Sequence, residues 1–402
     1  MERLVSLLGL AVFVGLAYLM SANRRAVRWR TVLWGIGLQL LLAVFILRTP
    51  VGLALFQWLG AAVTRFLDFS DAGAEFVFGE NFRDVFIAFK VLPTVIFFSA
   101  FISILYHYGL LQRLVQAAAW LMMRTMGTSG AESLSAAANI FVGQTEAPLV
   151  IKPYVAKTTQ SELHAVMVGG FSTVAGGVLA AYVSFGISPE HLIAASVMSA
   201  PAGLAVSKLI YPEIEKPLTK GDIGLEVERS SVNVIDAVTT GALDGLKLAL
   251  NIAAMLIAFL ALLAAVNALF GWLGSLVGLP ELSLELIFAY LLAPVAWLMG
   301  VPWADCLEVG VLLGKKTILN EFIAYLDLQQ MTAEFSISDR SVVIATYALC
   351  GFSNLSSIGI QIGGIGGIAP NRQRDLAKLG MSAMIGGSLA CFMTACIAGL
   401  LL

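Results

Sequence analysis

The sequence predicts an all-α polytopic membrane protein, in which eight transmembrane helices and two re-entrant helical hairpins form an inverted repeat. Composition supports the membrane assignment: of 402 residues, 59% are hydrophobic and 12% are charged, and the mean hydropathy is +0.88. Globular proteins are about half apolar and about a quarter charged, so the chain lies well outside that class. The net charge of -2, without a basic or acidic run, argues against a nucleic-acid partner.

Eight apolar segments are each close to the roughly 20 residues with which a helix crosses a bilayer. They cover residues 4–20, 31–48, 85–107, 163–186, 190–210, 242–270, 341–363 and 380–402. The first segment could be a signal peptide, but its arginines follow the apolar stretch instead of preceding it, at Arg24, Arg25, Arg28 and Arg30. That order favours a retained span.

The distribution of charge predicts the orientation of these spans. The basic residues of later loops fall on the same side of the predicted membrane as the first arginines. They are Arg113, Arg124, Lys152, Lys157, Lys208, Lys216, Arg372, Arg374 and Lys378. The segment 68–80, on the opposite side, is acidic. Because cytoplasmic loops are enriched in lysine and arginine, both termini are expected on the external side.

Two regions, 128–160 and 300–328, are too polar and interrupted for a clean span and too apolar for a solvated loop. Three short matches relate the halves of the chain in the same order. They are "AWLM" at 119–122 and 296–299, Glu146 and Glu321, and "GFST" at 170–173 with "GFSN" at 351–354. Residues 211–240, which mix both charge signs with proline and glycine, are predicted to be a cytoplasmic connector.

Three crossings separate the two interrupted regions, so equivalent units are expected to enter the membrane from opposite faces. Inverted repeats with broken segments at matching positions indicate a secondary transporter, whose site lies near the middle of the bilayer. The first interrupted region contains "NIFVGQTEAPLVI" at 139–151, with a glutamate in an apolar run. A carboxylate in a broken hairpin can face a water-filled cavity instead of lipid.

Four segments together resemble the concentrative nucleoside transporters, over almost the whole chain. They are "GQTEAP" at 143–148, "MSAPAGLAVSKLIYPE" at 198–213, "NEFIAY" at 320–325 and "ALCGFSNLSSIGIQIGG" at 348–364. The short N-terminus is similar to that of the bacterial members, so the resemblance implies a bacterial inner-membrane protein. It further implies a homotrimer embedded in the lipid bilayer, which imports nucleosides such as uridine by cation symport with an elevator-like alternating-access mechanism.

The resemblance also implies a division into domains. Residues 1–107 are expected to form scaffold spans 1–3, and residues 241–270 scaffold span 6. Residues 108–210 would be the first transport repeat, with an interfacial helix, hairpin 1 and spans 4–5. Residues 271–402 would be the second, with hairpin 2 and spans 7–8, and 211–240 would connect the halves.

Gln144, Thr145 and Glu146 have the chemistry to recognise a nucleobase. A base edge alternates donors and acceptors, which an amide and a hydroxyl can match while a carboxylate accepts from an N–H. In the family this triplet faces the base. The alternative is that Gln144 and Thr145 only cap the broken helix of the hairpin.

Glu321 is the candidate for the sugar, because one carboxylate can accept from both vicinal ribose hydroxyls in charge-assisted bonds. By resemblance Asn354 and Ser357 complete the sugar site, since a spacing of three would place them on one helix face. The alternative makes this pair a polar contact between helices. Phe352 is expected to pack on the base or ribose, or else to be core. The resemblance also assigns Gly143 and Val178 to the substrate.

A coupling ion has a possible oxygen site beside the triplet. It comprises the side chain of Asn139, the carbonyl of Val142, the hydroxyl of Thr173 and the carbonyl of Val174. Hard cations take oxygen ligands, and carbonyls freed where a membrane helix unwinds suit sodium. In the family these positions bind sodium, although Thr173 stands where a sodium-coupled member has serine. Proton coupling through Glu146 or Glu321 is the alternative.

Two other classes of function are weighed against a transporter. An intramembrane enzyme would use its polar residues as a catalytic pair, but the sequence has neither an HExxH nor a GxSxG motif. An inverted repeat also has no obvious purpose in a hydrolase. A channel would pass an ion, whereas an asymmetric set of carboxylates and amides suits a bound solute better. The sequence therefore predicts a transporter.

Overall fold

The computed structural model describes residues 1–221, 231–276, 278–279 and 281–402. Part of the connector predicted at 211–240 therefore lies outside the described residues. The described residues are predominantly helical, and no strand occurs among them, in agreement with the predicted all-α class.

The first quarter of the chain forms five helices. They are α1 (Glu2–Leu19), α2 (Trp29–Arg48), α3 (Pro50–Leu67), α4 (Ser70–Phe78) and α5 (Leu92–His107). A 3₁₀ turn (Phe82–Val85) and a π-helical turn (Phe86–Val91) lead into α5. Pro50 starts α3 at a position where a helix N–H has no partner anyway, and Thr49 accepts from the backbone N–H of Gly52.

The next group contains the first interrupted region. It comprises α6 (Leu110–Met126), α7 (Gly130–Ala138), a 3₁₀ turn (Ala147–Ile151), α8 (Lys152–Val155), α9 (Gln160–Ser172), α10 (Gly176–Ser184) and α11 (Pro189–Ile210). Serine and threonine caps begin α7 and α9, each completed by a glutamate three residues further on, at Glu132 and Glu162. These caps satisfy the backbone donors at two buried helix starts.

A single long helix, α12 (Val234–Leu276), leads to the last group. That group comprises α13 (Leu284–Leu298), a 3₁₀ turn (Trp303–Asp305), α14 (Cys306–Ile318), α15 (Glu321–Ala333), α16 (Asp339–Leu349), α17 (Leu355–Ile368), a second 3₁₀ turn (Pro370–Arg372) and α18 (Gln373–Leu401). Its helices follow one another in the order of those in the group from α6 to α11. Helix α12 extends beyond both ends of the span predicted at 242–270.

Among the described residues, eight helical segments are long and apolar enough to cross a membrane, the number predicted from the sequence. The set differs by one member. Residues 50–78, which were not predicted to span, form one of the eight. The crossing predicted at 341–363 is instead two shorter helices, α16 and α17, separated by residues 350–354.

Two helices are broken, and the two breaks meet inside the protein. Helices α9 and α10 are separated at residues 173–175, and the other break lies between α16 and α17. The backbone N–H of Phe352 donates to the carbonyl of Thr173 over 3.2 Å. Cys391 of α18 packs against both breaks, with its Sγ 3.2 Å from the carbonyl of Cys350 and 3.7 Å from that of Ser172. Non-helical backbone is thus enclosed by protein, as a membrane setting requires.

Candidate substrate and ion site

A cavity of about 2080 Å³ lies between the broken segments and the helices α5 and α12. All nine residues that were predicted to bind substrate line it. They are Gly143, Gln144, Thr145, Glu146, Val178, Glu321, Phe352, Asn354 and Ser357. The structure therefore brings together residues that lie up to 214 positions apart in the chain.

The cavity extends along α12 toward the N-terminal end of that helix. Thr240, Asp244, Lys247 and Asn251 line this wall, at a spacing that repeats along one helix face. Lys152 lines the cavity too, and the charge pattern of the sequence places it on the cytoplasmic side. The cavity wall formed by α12 is therefore polar, although most residues of that helix are apolar.

Gln144 lies in the middle of a hydrogen-bonded chain, between the hydroxyl of Ser357 and the amide of Gln361. Its Nε2 donates to Oγ of Ser357 over 3.2 Å, and its Oε1 accepts from Nε2 of Gln361 over 3.0 Å. Only 7% of Gln144 is exposed. The side chain is thus held by two residues of α17 while one edge faces the cavity.

Thr145 and Glu146 follow on the cavity side of the same break. The hydroxyl of Thr145 donates to Oε1 of Glu146 over 3.0 Å. Thr145 packs against α17, where a methyl group added at Gly364 would lie 2.6 Å from its Cγ2. Neither Gln144 nor Thr145 forms a hydrogen bond with the backbone at a helix end among the described residues, so the alternative that they only cap the broken helix is not what the structure shows.

Glu321 is buried at the start of α15, and each of its oxygens has a donor. The hydroxyl of Tyr182 donates to Oε1 over 2.9 Å, and Nδ2 of Asn354 donates to Oε2 over 3.2 Å. Its position follows from the preceding residue, since Asn320 caps α15 by accepting from the N–H of Ile323. A carboxylate oxygen can accept more than one hydrogen bond, so both oxygens retain capacity for a ligand.

Asn354 and Ser357 meet for a different reason from the one predicted. Asn354 is the N-cap of α17 and not part of its helical face, and its Oδ1 accepts from the N–H of Ser357 over 2.9 Å. The spacing of three thus reflects capping geometry. Asn354 also bridges to Glu321 and Ser357 to Gln144, so the pair links helices and lines the cavity as well.

The two apolar members of the predicted set are held differently. Val178 is buried on α10, with 4% of it exposed, whereas Phe352 lies half-buried in the second break. Both line the cavity; Val178 belongs to the main apolar core, and Phe352 packs against that core. Contact of Phe352 with a base or ribose stays a prediction.

The predicted ion ligands lie at and just after the end of α7, and in the break between α9 and α10. Asn139 is fully buried at the end of α7, and its Oδ1 has no hydrogen-bond partner among the described residues. The carbonyls of Val142 and Val174 accept no hydrogen bond there either. The hydroxyl of Thr173 donates to the carbonyl of Gly169, which leaves its lone pairs free. Four oxygens without donors are the kind of set that a sodium ion requires.

The two segments that carry these oxygens are joined to each other. The N–H of Gly176 donates to the carbonyl of Phe141 over 3.2 Å. A methyl group added at Gly169 would lie 3.3 Å from Nδ2 of Asn139. No group of three or more histidine, cysteine or acidic side chains suited to a metal occurs in the described part of the chain. The neutral oxygen set therefore fits a monovalent cation better than a transition metal.

Two residues of the site were missed in the sequence. Tyr182 is fully buried behind Glu321, and Gln361 is fully buried behind Gln144. Each is a polar residue within an apolar membrane segment, which is the signal that could have identified them. Neither lines the cavity, so each acts through the residue that it contacts.

Three family models match successive parts of the chain. "Na+ dependent nucleoside transporter N-terminus" matches residues 8–81, "Nucleoside recognition" matches 88–189, and "Na+ dependent nucleoside transporter C-terminus" matches 191–399. Among curated proteins, the chain is 50% identical over 414 residues to "Solute carrier family 28 member 3" of Rattus norvegicus. It is 49% identical over 415 residues to "Sodium/nucleoside cotransporter 1" of Mus musculus. Each alignment covers 100% of this chain, which spans 59% and 64% of those two proteins.

Solved structures agree with this relationship. A chain described as "CNTnw in an inward-facing substrate-bound state" superposes with a TM-score of 0.94 at 41% identity, covering 100% of this chain and 98% of that one. A doubly substituted form of CNTnw in an outward-facing state also gives a TM-score of 0.94, at 40% identity and the same coverage. The C-terminal model alone matches more than half of the sequence. The chain belongs to the family of Na⁺-dependent nucleoside transporters.

Proposed function

We propose that this protein imports nucleosides by symport with sodium, through an elevator-like alternating-access mechanism. One observation carries the proposal: a single cavity brings the amide of Gln144 and the carboxylate of Glu321 together, next to an oxygen set at Asn139 that lacks donors. The two ends of the site thus differ in chemistry, as a base and a ribose do.

The substrate is assigned by the groups that face the cavity. Glu321 offers acceptors to the two ribose hydroxyls, and charge-assisted bonds of this kind are stronger than neutral ones. Gln144, Thr145 and Glu146 offer both donors and acceptors to a base edge. Phe352 and Val178 supply apolar surface between them. Uridine is the probe of choice, because it presents both features in a small molecule.

Sodium is the coupling ion that the donor set favours. The Oδ1 of Asn139 is buried without a partner, which is costly unless something binds it. Asn139, Val142, Thr173 and Val174 would hold the ion, and their oxygens are neutral, as a weakly charged cation requires. The ion supplies the free energy of its gradient to substrate accumulation. Proton symport is the second candidate, since Glu146 is exposed to the cavity and could exchange a proton there.

The movement would involve two parts of the chain. Residues 1–107 and 241–270 would form a scaffold, and residues 108–210 and 271–402 would carry the site as two transport repeats. The contact between Phe352 and Thr173 supports joint movement of the repeats, because it joins their broken helices. The inward-facing and outward-facing forms of CNTnw resemble this chain equally well, which supports a change between such states.

Assembly and location complete the proposal. Most of α12 is exposed in the single chain, and leucines along it such as Leu250 and Leu262 need lipid or a second copy to cover them. The charge pattern fits both termini in the periplasm. A homotrimer in the lipid bilayer of a bacterial inner membrane is the assembly that the family resemblance implies. Membership of the family supports a transporter and not an enzyme.

Uptake of radiolabelled uridine into proteoliposomes tests the proposal. An inward sodium gradient should drive accumulation above the external concentration, and choline in place of sodium should abolish it. Full accumulation with choline and an imposed proton gradient would support proton symport instead. Uptake that does not saturate with uridine would indicate a channel, and no uridine uptake under any gradient would contradict nucleoside transport.

A further inference from the structure

We propose that Gln361, which does not line the cavity, fixes the direction of the Gln144 amide and thereby determines which bases the site accepts. The inference rests on the proposed nucleoside transport and adds a specificity-determining residue to it. Gln361 is a positioning residue, because it lies behind Gln144 and acts only through it.

The orientation of Gln361 is forced by the backbone. Its Nε2 lies 3.1 Å from the carbonyl of Met167 and 3.0 Å from Oε1 of Gln144. A carbonyl oxygen can only accept, so the nitrogen of Gln361 must face Met167. In the reversed orientation the amide oxygen of Gln361 would lie against that carbonyl, and two acceptors would repel each other.

The orientation of Gln144 then follows from that of Gln361. Both hydrogens of the Gln361 amide are used, one on Met167 and one on Gln144. Gln144 must therefore present its oxygen to Gln361, and its Nε2 lies toward Ser357 and the cavity. The backbone carbonyl of Met167 thus determines, through two amides in series, that the group offered to a ligand is a donor.

The pair is packed closely against α9, so the two side chains cannot move apart, and their hydrogen bonds decide which way each amide faces. A methyl group added at Gly170 of α9 would lie 2.8 Å from Nε2 of Gln361 and 2.8 Å from Cβ of Gln144. The amide of Gln361 and the Cβ of Gln144 therefore lie directly against the backbone of α9. The Oε1 of Gln361 is buried without a partner among the described residues. An apolar residue would avoid that cost, so the presence of glutamine indicates a role other than stability.

The consequence is a rule for the ligand. A base must place an acceptor, such as a ring carbonyl oxygen, against the Gln144 N–H. A base with hydrogen at that position leaves a buried donor unpaired, and a base with an amino group there meets a second donor. Gln361 would thereby contribute to base selection without touching the base.

A binding comparison with substituted protein tests this role. Purified protein is titrated in detergent and sodium with uridine and with its two analogues that have hydrogen in place of the 4-oxygen or of the 2-oxygen. The pair of uridine and 3′-deoxyuridine measures sugar recognition in parallel. Gln361→Met keeps the length of the side chain but removes both donors, so the Gln144 amide can turn. The ratio of the affinity for uridine to the affinity for the weaker-binding base analogue should fall about 3- to 10-fold in the variant. Loss of one directed hydrogen bond implies a change of that size.

The other readouts separate this role from a structural one. The ratio of affinities for uridine and 3′-deoxyuridine should stay unchanged in Gln361→Met. In a Gln144→Ala background the same substitution should have no further effect on base preference, since the two residues act in series. Gln361→Asn, which shortens the amide, should reproduce the loss and serves if the methionine variant does not fold.

Several results would overturn the inference. One is a folded variant whose base preference is unchanged. Another is a variant in which the preference for uridine over the base analogues and the preference for uridine over 3′-deoxyuridine fall by the same factor. A third is an unsubstituted protein that binds uridine no better than either analogue that lacks a base carbonyl oxygen. An unsubstituted protein that binds no nucleoside at all would instead contradict the proposed function.

Discussion

The hydroxyl of Tyr182, on α10, donates to Oε1 of Glu321, at the start of α15, over 2.9 Å. The bond joins α10 to α15 across 139 positions of sequence. Tyr182 is fully buried, and its ring lies 4.2 Å, centroid to centroid, from that of Tyr325. Both the ring and the hydroxyl are therefore fixed, and Glu321 is oriented before a sugar arrives.

Tyr182→Phe should weaken uridine binding by about 1–3 kcal/mol, because a hydrogen bond to a charged group is lost and the carboxylate becomes free to turn. The loss should be smaller for 2′,3′-dideoxyuridine, which lacks the hydroxyls that Glu321 would hold. Equilibrium binding of both ligands measures the difference. Tyr325→Phe is the matched control, since that hydroxyl donates to the carbonyl of Thr346 and not to Glu321. An equal loss for both ligands would show that Tyr182 has no bearing on the sugar.

Glu321→Gln should also cost on the order of 1–3 kcal/mol in uridine binding, since neutral bonds replace charge-assisted ones. The substitution keeps the shape of the side chain, so packing should be unaffected. As with Tyr182, the effect should be smaller for 2′,3′-dideoxyuridine than for uridine. If both ligands lose the same affinity, Glu321 does not belong to the sugar site.

Removal of sodium should weaken nucleoside binding, and the nucleoside should tighten sodium by the same factor. Asn139→Ala should reduce this mutual effect on the order of tenfold, because one of four oxygens is lost, while weak binding persists at high uridine concentration. Titration of uridine at several sodium concentrations gives the coupling factor. Asn371→Ala, on the 3₁₀ turn before α18, is the control. A full coupling factor in Asn139→Ala would remove this residue from the ion site.

A buried ion pair joins α7 to α11. Nζ of Lys208 lies 2.5 Å from Oε2 of Glu132, with 7% and 2% of the two side chains exposed, and it donates to Ser161 over 2.7 Å. Lys208→Met should cost about 3–5 kcal/mol of unfolding free energy, because an unpaired carboxylate stays buried.

Thermal unfolding in detergent measures that loss. The double variant Lys208→Met with Glu132→Gln should recover part of it, since the carboxylate nearest to Nζ is then neutral, whereas Glu213, 3.9 Å from the same atom, still loses its cation. Lys247→Met is the control, because its pair with Asp244 is largely exposed and should contribute little. A loss in the control as large as that in Lys208→Met would contradict the assignment of burial as the cause.

The membrane spans were predictable where hydrophobicity is continuous. Residues 50–78 were missed because Pro50, Arg65 and Asp71 interrupt the pattern, although Asp71 forms ion pairs with Arg83 and Lys90. The span predicted at 341–363 is broken instead, because hydropathy does not report where a buried helix unwinds. Asn354 was the available signal, since asparagine is favoured as an N-cap.

The residues that line the cavity were predictable from the sequence, but the hydrogen bonds among them were not. Family segments identified Gln144 and Glu321, and the structure places both in one cavity. The residues that orient them, Gln361 and Tyr182, are distant in sequence and belong to other helices. Which polar residue contacts which depends on how the two broken helices cross, and no spacing within one segment contains that information.

The bond from the N–H of Phe352 to the carbonyl of Thr173 has a consequence for energy transfer. The threonine would hold the ion and the phenylalanine lines the nucleoside cavity, so one peptide hydrogen bond separates the two occupants. Communication between them then needs no displacement of one part of the protein against another. The mutual tightening of ion and nucleoside binding should therefore survive in a transporter whose movement between access states has been blocked by a cross-link. Coupled binding and movement across the membrane would then be separable properties of the molecule.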